Sequence, residues 1–457
     1  MVTSQPFADP LRSSQPFADT PRVPQSFVDC LPRLAFGETR DMVSAKADTM
    51  GFRAFARPPG HDERPGRVPP REGGSMRLLH IADLHIGKRV SEFSMLADQR
   101  HVLSQVVDLL RERAVDVLLV AGDLYDKAAP SAEAVALVDW FLSEVASTGV
   151  PAVVIPGNHD SAERVAYAGS LLARQGIHVA PVFDGHVEPI ELTDERGPVR
   201  IWPIPFLRPA TVRHFFPEAE VESYTDALRV VAESCDTAGA VRNVAVVHQF
   251  VTSGGVSPER SDSELSVGGL DNVEASVFDA FDYVALGHIH RPQRVGRDSV
   301  RYAGSILKYS FSEARDTKSA VLAELGAPGE DPRIELIPLT PLHDLRRVRG
   351  PLAELVSSEV VGPADAEDYL HVVLTDEHPA LDAMARLRAV YPNVMGVEYD
   401  NARTRAAGLG PEDVAPAEED VSPIELFAEF YERQNGSELT EGQRRLVAEG
   451  LEGIGVR

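Results

Sequence analysis

The 457-residue chain predicts an α/β fold, either a sandwich or a doubly wound sheet. Two observations predict it. From Met76 onward, aliphatic runs of four to seven residues alternate with amphipathic stretches, as in sheets buried on both faces by packed helices. Five of those runs are followed at once by clusters rich in Asp and His. In α/β folds, sites gather outside the carboxyl ends of the strands.

Residues 1–75 stand apart. They hold 11 of the 34 prolines and a decaying repeat: Ser4-Gln5-Pro6-Phe7-Ala8-Asp9, Ser14-Gln15-Pro16-Phe17-Ala18-Asp19 and Pro24-Gln25-Ser26-Phe27-Val28-Asp29. A period near ten is too short for a solenoid unit, and so much proline predicts a disordered extension. The codons of Glu72-Gly73-Gly74 are purine-rich, as a ribosome-binding site would be, so Met76 is expected as an alternative start.

Strands are predicted at Arg77–Ala82, Val115–Ala121, Ala152–Ile155, Val244–Val247 and Tyr283–Leu286. Helices are predicted at Glu92–Ala114 and Ser131–Thr148, the second opened by Ser131 with Glu133 in its first turn and stopped by Gly149. A smaller unit then reads as strand Tyr369–Leu374, helix His378–Val390 and strand Val394–Tyr399. Residues 402–422 read as a polar linker. Ser422-Pro423 opens a helix with proline in its first turn, bearing Leu426, Phe427, Phe430 and Tyr431 on one face. A second helix runs from Thr440 to Leu451, with Thr440 and Gln443 spaced as a capping box. The apolar face is too rich for a free two-helix tail and predicts a partner surface. The expected organisation is an extension over 1–75, a main domain over 76–345, a small unit over 346–415 and a helical segment over 416–457.

Composition excludes several classes. The apolar runs fall far short of the roughly 18 residues of a membrane span. Two cysteines, Cys30 and Cys235, provide no disulfide framework and suit a reducing cytoplasm. With 45 basic and 70 acidic residues the net charge is −25, so the chain should not grip nucleic acid strongly by itself. Divalent metals or a partner would have to supply positive charge.

The five clusters are Asp83-Leu84-His85, Gly122-Asp123-Leu124-Tyr125-Asp126, Gly157-Asn158-His159-Asp160, His248-Gln249 and Gly287-His288-Ile289-His290. Singly, each has a plainer reading: a Gly-Asp turn that caps the next helix, or a histidine satisfied in the core. All five in order at strand ends point to a metal site. Imidazole with carboxylate or amide oxygen, and no thiolate, suits manganese, iron or zinc and disfavours calcium. Alternate positions on an extended segment point the same way, so Asp83 and His85 are expected to face one ion. The donors are too many for one tetrahedral site and suit two metals sharing a carboxylate, with Asp123 the natural bridge.

This set of motifs resembles that of the calcineurin-like metallophosphoesterases over residues 76 to about 320. The resemblance implies a metallophosphoesterase β-sandwich flanked by helices, with a small α+β capping domain and C-terminal helices. It implies one divalent ion held by Asp83, His85, Asp123 and His290, and a second held by Asp123, Asn158, His248 and His288. His159 would protonate the leaving oxygen, and Asp160 would orient His159.

The flanks narrow the resemblance. Gly157-Asn158-His159-Asp160-Ser161-Ala162-Glu163-Arg164 and Tyr302-Ala303-Gly304-Ser305-Ile306-Leu307-Lys308-Tyr309-Ser310-Phe311 are similar to blocks of the SbcD nuclease subunits, as are Ser261-Asp262-Ser263-Glu264 with Val267-Gly268-Gly269 and the C-terminal helices. That likeness implies a manganese-dependent DNA nuclease, acting as a three-prime-to-five-prime double-strand exonuclease and a single-strand and hairpin endonuclease. It would bind an SbcC-like coiled-coil ATPase through residues 422–451 and pair as a homodimer, around Glu92–Leu110, within a heterotetramer. The chain has no G-x-x-x-x-G-K-[ST] loop of its own, so ATP hydrolysis would belong to the partner. Lys88, Arg89, Arg164 and Arg291 would touch phosphates without reading sequence. Some relatives carry histidine where this chain has Asp126, whose role stays open. A small-molecule phosphodiesterase and a non-catalytic interaction subunit remain as alternatives.

Overall fold

A computed structural model describes residues 74–264, 271–357, 360, 366–407 and 423–453. The proline-rich stretch 1–73, Val267-Gly268-Gly269 and Ser422 lie outside the described residues.

Two six-stranded sheets form the main body. The first is built from β1 (Arg77–Ile81), β2 (Val117–Ala121), β3 (Ala152–Ile155) and β4 (Ile177–Val179), parallel to one another. The second contains β5 (Ile190–Asp194), β6 (Gly197–Ile204), β7 (Arg242–His248), β8 (Tyr283–Gly287), β9 (Gln293–Val295) and β10 (Arg297–Tyr302), in the order β9-β10-β8-β7-β6-β5. Its inner four strands are parallel, and both edge strands are antiparallel. The chain then returns to the first sheet with β11 (Ser319–Glu324) and β12 (Arg333–Pro338), giving the order β12-β11-β1-β2-β3-β4.

Alternation explains the layering. Leu78 and Ala82 of the β1 run turn inward, and meet Val199, Ile201, Val244, Val246, Tyr283 and Ala285 of the second sheet. Leu79 and Ile81 turn outward, beneath helices α1 (Leu96–Glu112) and α2 (Ala132–Thr148). The outer face of the second sheet is covered in the same way by α3 (Tyr224–Ser234). Burying an aliphatic side chain contributes roughly 1.5–3 kcal/mol, so three such layers hold the sandwich. Helix α2 keeps its expected ends: the Ser131 side chain accepts from the Ala134 amide, and Gly149 closes the helix in the left-handed region at φ 74°.

Helix α1 starts at Leu96, four residues later than expected. Ser91 and Glu92 have positive φ and turn a short hairpin that pairs Arg89-Val90 with Phe93-Ser94. Val90 and Phe93 therefore serve the hairpin, with Phe93 edge-on to Tyr369 at 5.8 Å.

The small unit is a three-stranded parallel sheet, β13 (Leu345–Gly350), β14 (Tyr369–Leu374) and β15 (Val394–Tyr399). Two of these strands were expected. The first was not, because Arg346, Arg347 and Arg349 mask its alternation; the expected boundary at 345/346 falls on its first residue. The helix expected over His378–Val390 is confined to Ala383–Arg388, after Asp382 at φ 52°. Helix Ala402–Ala407 occupies the start of the expected linker. The unit is tied to α1: the buried Asp98 carboxylate accepts from the His343 amide at 2.9 Å and the Tyr369 hydroxyl at 2.9 Å.

The C-terminal helices are α4 (Pro423–Asn435) and α5 (Glu441–Gly453). Thr440 and Gln443 form the expected reciprocal cap. Phe427 and Phe430 are exposed on α4. Among the described residues, no helix is long and apolar enough to cross a membrane.

Candidate metal centre

The ends of β1, β2, β3, β7 and β8 bring the five clusters to one edge of the sandwich. Close approach at this edge explains the motif glycines. A methyl group at Gly287 would overlap the Ala121 carbonyl oxygen, and one at Gly157 would overlap the Asp123 carboxylate. Asp83 and His85 are not on an extended segment: both have positive φ, 52° and 44°, and the segment follows residues 122–124, whose carbonyls accept from the Asp83, His85 and Ile86 amides. They still meet the same group, because the segment is also clamped from below. Buried Gln99 of α1 accepts from the Gly87 amide at 3.0 Å and donates to the His85 carbonyl at 2.8 Å and the Tyr309 hydroxyl at 3.0 Å.

All seven expected donors converge. His85 Nε2 and His290 Nε2 lie 3.1 Å apart, beside Asp83. On the other side, the Asn158 Oδ1 atom lies 2.9 Å from His248 Nε2 and 3.0 Å from His288 Nδ1. Asp123 stands between: its Oδ2 is 3.5 Å from His85 Nε2 and 3.4 Å from His248 Nε2. Its other oxygen accepts the His159 amide at 2.9 Å.

The orientation of the rings is informative. His248 Nδ1–H donates to the Ala121 carbonyl at 2.9 Å, which turns Nε2 toward the cluster. His290 Nδ1 points away to Glu313, at 3.6 Å, and His85 Nδ1 to Asp126, at 3.9 Å. The buried Asp83 Oδ2 has no hydrogen-bond partner among the described residues. A buried carboxylate oxygen left unpaired beside converging imidazole nitrogens is what a divalent cation would satisfy. The donor set therefore fits metal.

Electrostatics agree. Burial holds the His85 imidazole well below its ordinary pKa, and burial with His248 nearby lowers His288 to about 3, so both rings are neutral ligands. Burial raises Asp83 to about 6. Burial also works to raise Asp123, but His248 and then His85 and His159 hold its carboxyl well below the usual range. Burial disfavours a charged His248, yet the Asp123 and Asp83 carboxylates outweigh it and raise the pKa to about 9, so a metal ion would take the place of its Nε2 proton.

One expected role changes. Asp160 does not orient the His159 ring. Its carboxylate accepts from the amides of Leu124, Tyr125 and Gly157, each at 2.9 Å, and so locks the β2 loop to the β3 loop. Burial, with Asp123 nearby, raises its pKa to about 6. The His159 ring is instead set by Asp126, whose carbonyl lies 3.1 Å from Nδ1.

The basic residues also divide. Lys88 is paired with Asp126 at 3.0 Å, and Arg291 with Glu259 and Asp316. Among the described residues, exposed Arg89 and Arg164 bond main-chain carbonyls, of Glu92 and Ala128. Gln99, Glu313 and Lys318 were missed from sequence. A glutamine inside a helix and a Glu-Lys pair carry no local signal of being buried against a site.

Two family matches cover the chain in succession. Residues 76–292 match the calcineurin-like phosphoesterase family, a span that includes every donor above. Residues 341–435 match SbcD_C, described as the type 5 capsule protein repressor C-terminal domain. Residues 76–292 therefore form a calcineurin-like phosphoesterase domain. With the C-terminal match following on the same chain, the two support an SbcD-like metallophosphoesterase.

Among solved structures, TT1561 of Thermus thermophilus is 13% identical with a TM-score of 0.35, covering 58% of this chain and 100% of its own. A dimetal phosphatase from Danio rerio is 12% identical with a TM-score of 0.34, at the same coverages of 58% and 100%. GAP50, the anchor in the inner membrane complex of Plasmodium, is 12% identical with a TM-score of 0.35, covering 71% of this chain and 96% of its own. Likenesses this remote carry no weight for function.

Proposed function

We propose that the chain is the nuclease subunit of an SbcCD-like complex, cutting DNA phosphodiester bonds with two divalent ions, manganese in the first instance. The observation that carries this reading is the succession of a phosphoesterase match and an SbcD C-terminal match on one chain. Asp83, His85, Asp123 and His290 hold one ion, and Asp123, Asn158, His248 and His288 the other. When bound, the ions supply Lewis acidity to the phosphodiester and an activated water.

The chain's own groups supply the rest. His159 stands beside His85 and Asp123 at the cluster. With Nδ1 held by the Asp126 carbonyl, its Nε2 edge is free to give a proton to the departing oxygen. Asp160 keeps the two loops that carry Asp123 and Asn158 in register. Lys88, Arg89, Arg164 and Arg291 meet phosphates at the rim, Arg89 and Arg164 with the least competition, and the contacts carry no base readout. The small unit shapes the DNA groove. The segment 422–451 docks on the coiled-coil ATPase, with Phe427 and Phe430 as exposed apolar contacts. Two chains pair near α1, and the assembly works in the cytoplasm at the nucleoid. An acidic chain can do this because the ions and the clamping ATPase supply the positive charge.

The test is cleavage of end-labelled hairpin duplex DNA, comparing the full chain with His159→Ala, with and without the ATPase and ATP. Manganese-dependent cutting that falls about 10²–10⁴-fold in the variant supports the nuclease. Hydrolysis of a generic phosphodiester with no DNA cleavage in any condition would replace it with a small-molecule phosphodiesterase.

A further inference from the structure

The block that ends in Tyr309-Ser310-Phe311 and the segment Ser261-Asp262-Ser263-Glu264 have no chemistry of their own, yet the fold brings them together behind His290. The Asp262 amide donates to Ser312 Oγ at 2.9 Å. The Ser263 hydroxyl donates to Glu313 Oε1 at 3.1 Å, and the Ser305 hydroxyl lies 3.4 Å from Glu313 Oε2. Lys318 Nζ bonds both Glu313 Oε2, at 2.6 Å, and the His290 carbonyl, at 2.8 Å. The His290 amide donates to Glu264 Oε1 at 2.6 Å, and the Ser305 amide to the His290 carbonyl at 3.0 Å. Glu313 is fully buried and Lys318 nearly so.

A buried carboxylate is costly unless paired and hydrogen-bonded. Here it is satisfied by the Lys318 ammonium and the Ser263 hydroxyl, and these aim Oε1 at His290 Nδ1, 3.6 Å away. The opposite nitrogen of the same ring faces His85 in the cluster. A carboxylate behind an imidazole fixes which nitrogen carries the proton, sets the ring plane and raises its basicity as a ligand. The Ala121 carbonyl does this for His248 through a 2.9 Å hydrogen bond; Glu313 faces the corresponding nitrogen of His290 from 3.6 Å, beyond hydrogen-bond length, with a full charge in place of a carbonyl dipole.

We infer that Glu313 is a positioning residue of the centre, anchored by Lys318 and Ser263, and that it tunes the ion held through His290 while leaving the ion on the Asn158 side untouched. This rests on the two-ion reading above. The Glu313→Gln variant keeps the volume and an acceptor but removes the charge.

Manganous chloride titrated calorimetrically into the metal-free full chain tests the inference. Wild type should take two ions. Glu313→Gln should bind one of them about 10–100-fold more weakly and the other as before. Its phosphodiester cleavage should return to the wild-type kcat at saturating manganese, a split that general misfolding would not produce. Wild-type affinity for both ions in the folded variant overturns the inference. If wild type binds no manganese, the two-ion reading fails and the inference falls with it. Should Glu313→Gln not fold by circular dichroism, Ser263→Ala decides. Loss of one orienting hydroxyl should weaken the same single ion about two- to tenfold, and no change overturns the inference.

Discussion

His80 offers a sharp test of the sandwich. It lies fully buried on β1, in register with the inward-facing residues, and its Nδ1 is 3.0 Å from the Tyr283 hydroxyl of the opposing sheet. Burial, and then the Arg301 charge, lowers its pKa from 6.5 to about 3. The folded protein therefore refuses a proton that the unfolded chain accepts below pH 6.5. Stability from this residue is intact above pH 6.5 and is lost progressively as pH falls toward 3. At pH 5 the difference amounts to about 1.5 pH units at 1.36 kcal/mol each, or about 2 kcal/mol.

His80→Phe removes the titration. It also leaves the Tyr283 hydroxyl without its partner, costing roughly 1–3 kcal/mol at every pH. The readout is therefore the change between pH 8 and pH 5, measured by urea unfolding in the presence of a chelator. Other titrating groups are common to both proteins and cancel. Wild type should lose about 2 kcal/mol more than the variant over that interval. Equal losses would refute the claim that a neutral His80 is buried between the sheets.

Other perturbations reach the site. Asp123→Asn removes the carboxylate shared by both halves of the cluster, and elemental analysis should find two divalent ions per chain in wild type and less than one in the purified variant. Gln99→Leu takes the clamp from the segment bearing Asp83 and His85. It leaves the Gly87 amide unpaired and takes one of the two hydrogen bonds from the His85 carbonyl, so thermal unfolding should show a loss of about 1–3 kcal/mol, with weaker metal uptake alongside. Phe430→Asp puts a charge on an exposed apolar face of α4, and should abolish co-elution with the coiled-coil ATPase on size exclusion while cleavage of a small phosphodiester persists.

What sequence could reveal here depends on range. Strands β3, β14 and β15 were legible to the residue, because each is an aliphatic run bounded by turn or polar residues. Helix α1 was legible in its body but not at its start, where a two-residue hairpin competes for the same apolar residues. Strand β13 was hidden by its arginines. The seven donors were found because each follows directly on a strand, so a one-dimensional pattern carried a three-dimensional edge.

The partners of those donors were not legible. Chain order could point to Asp160 as the companion of His159, one residue away, but the fold spends that carboxylate on three amides and hands the ring to the Asp126 carbonyl. Likewise nothing near residue 290 announces Glu313 or Lys318, or near residue 85 announces Gln99. The sequence alone determined seven of the strands, the Asp- and His-rich groups at the carboxyl ends of five of them, and a resemblance to the calcineurin-like phosphoesterases. Tertiary structure alone decided which nitrogen of each imidazole faces the cluster, which charges remain free at the rim and which buried carboxylate supports the site. The first set follows from local periodicity and spacing. The second depends on contacts between residues far apart in the chain, which exist only once the two sheets have closed on one another.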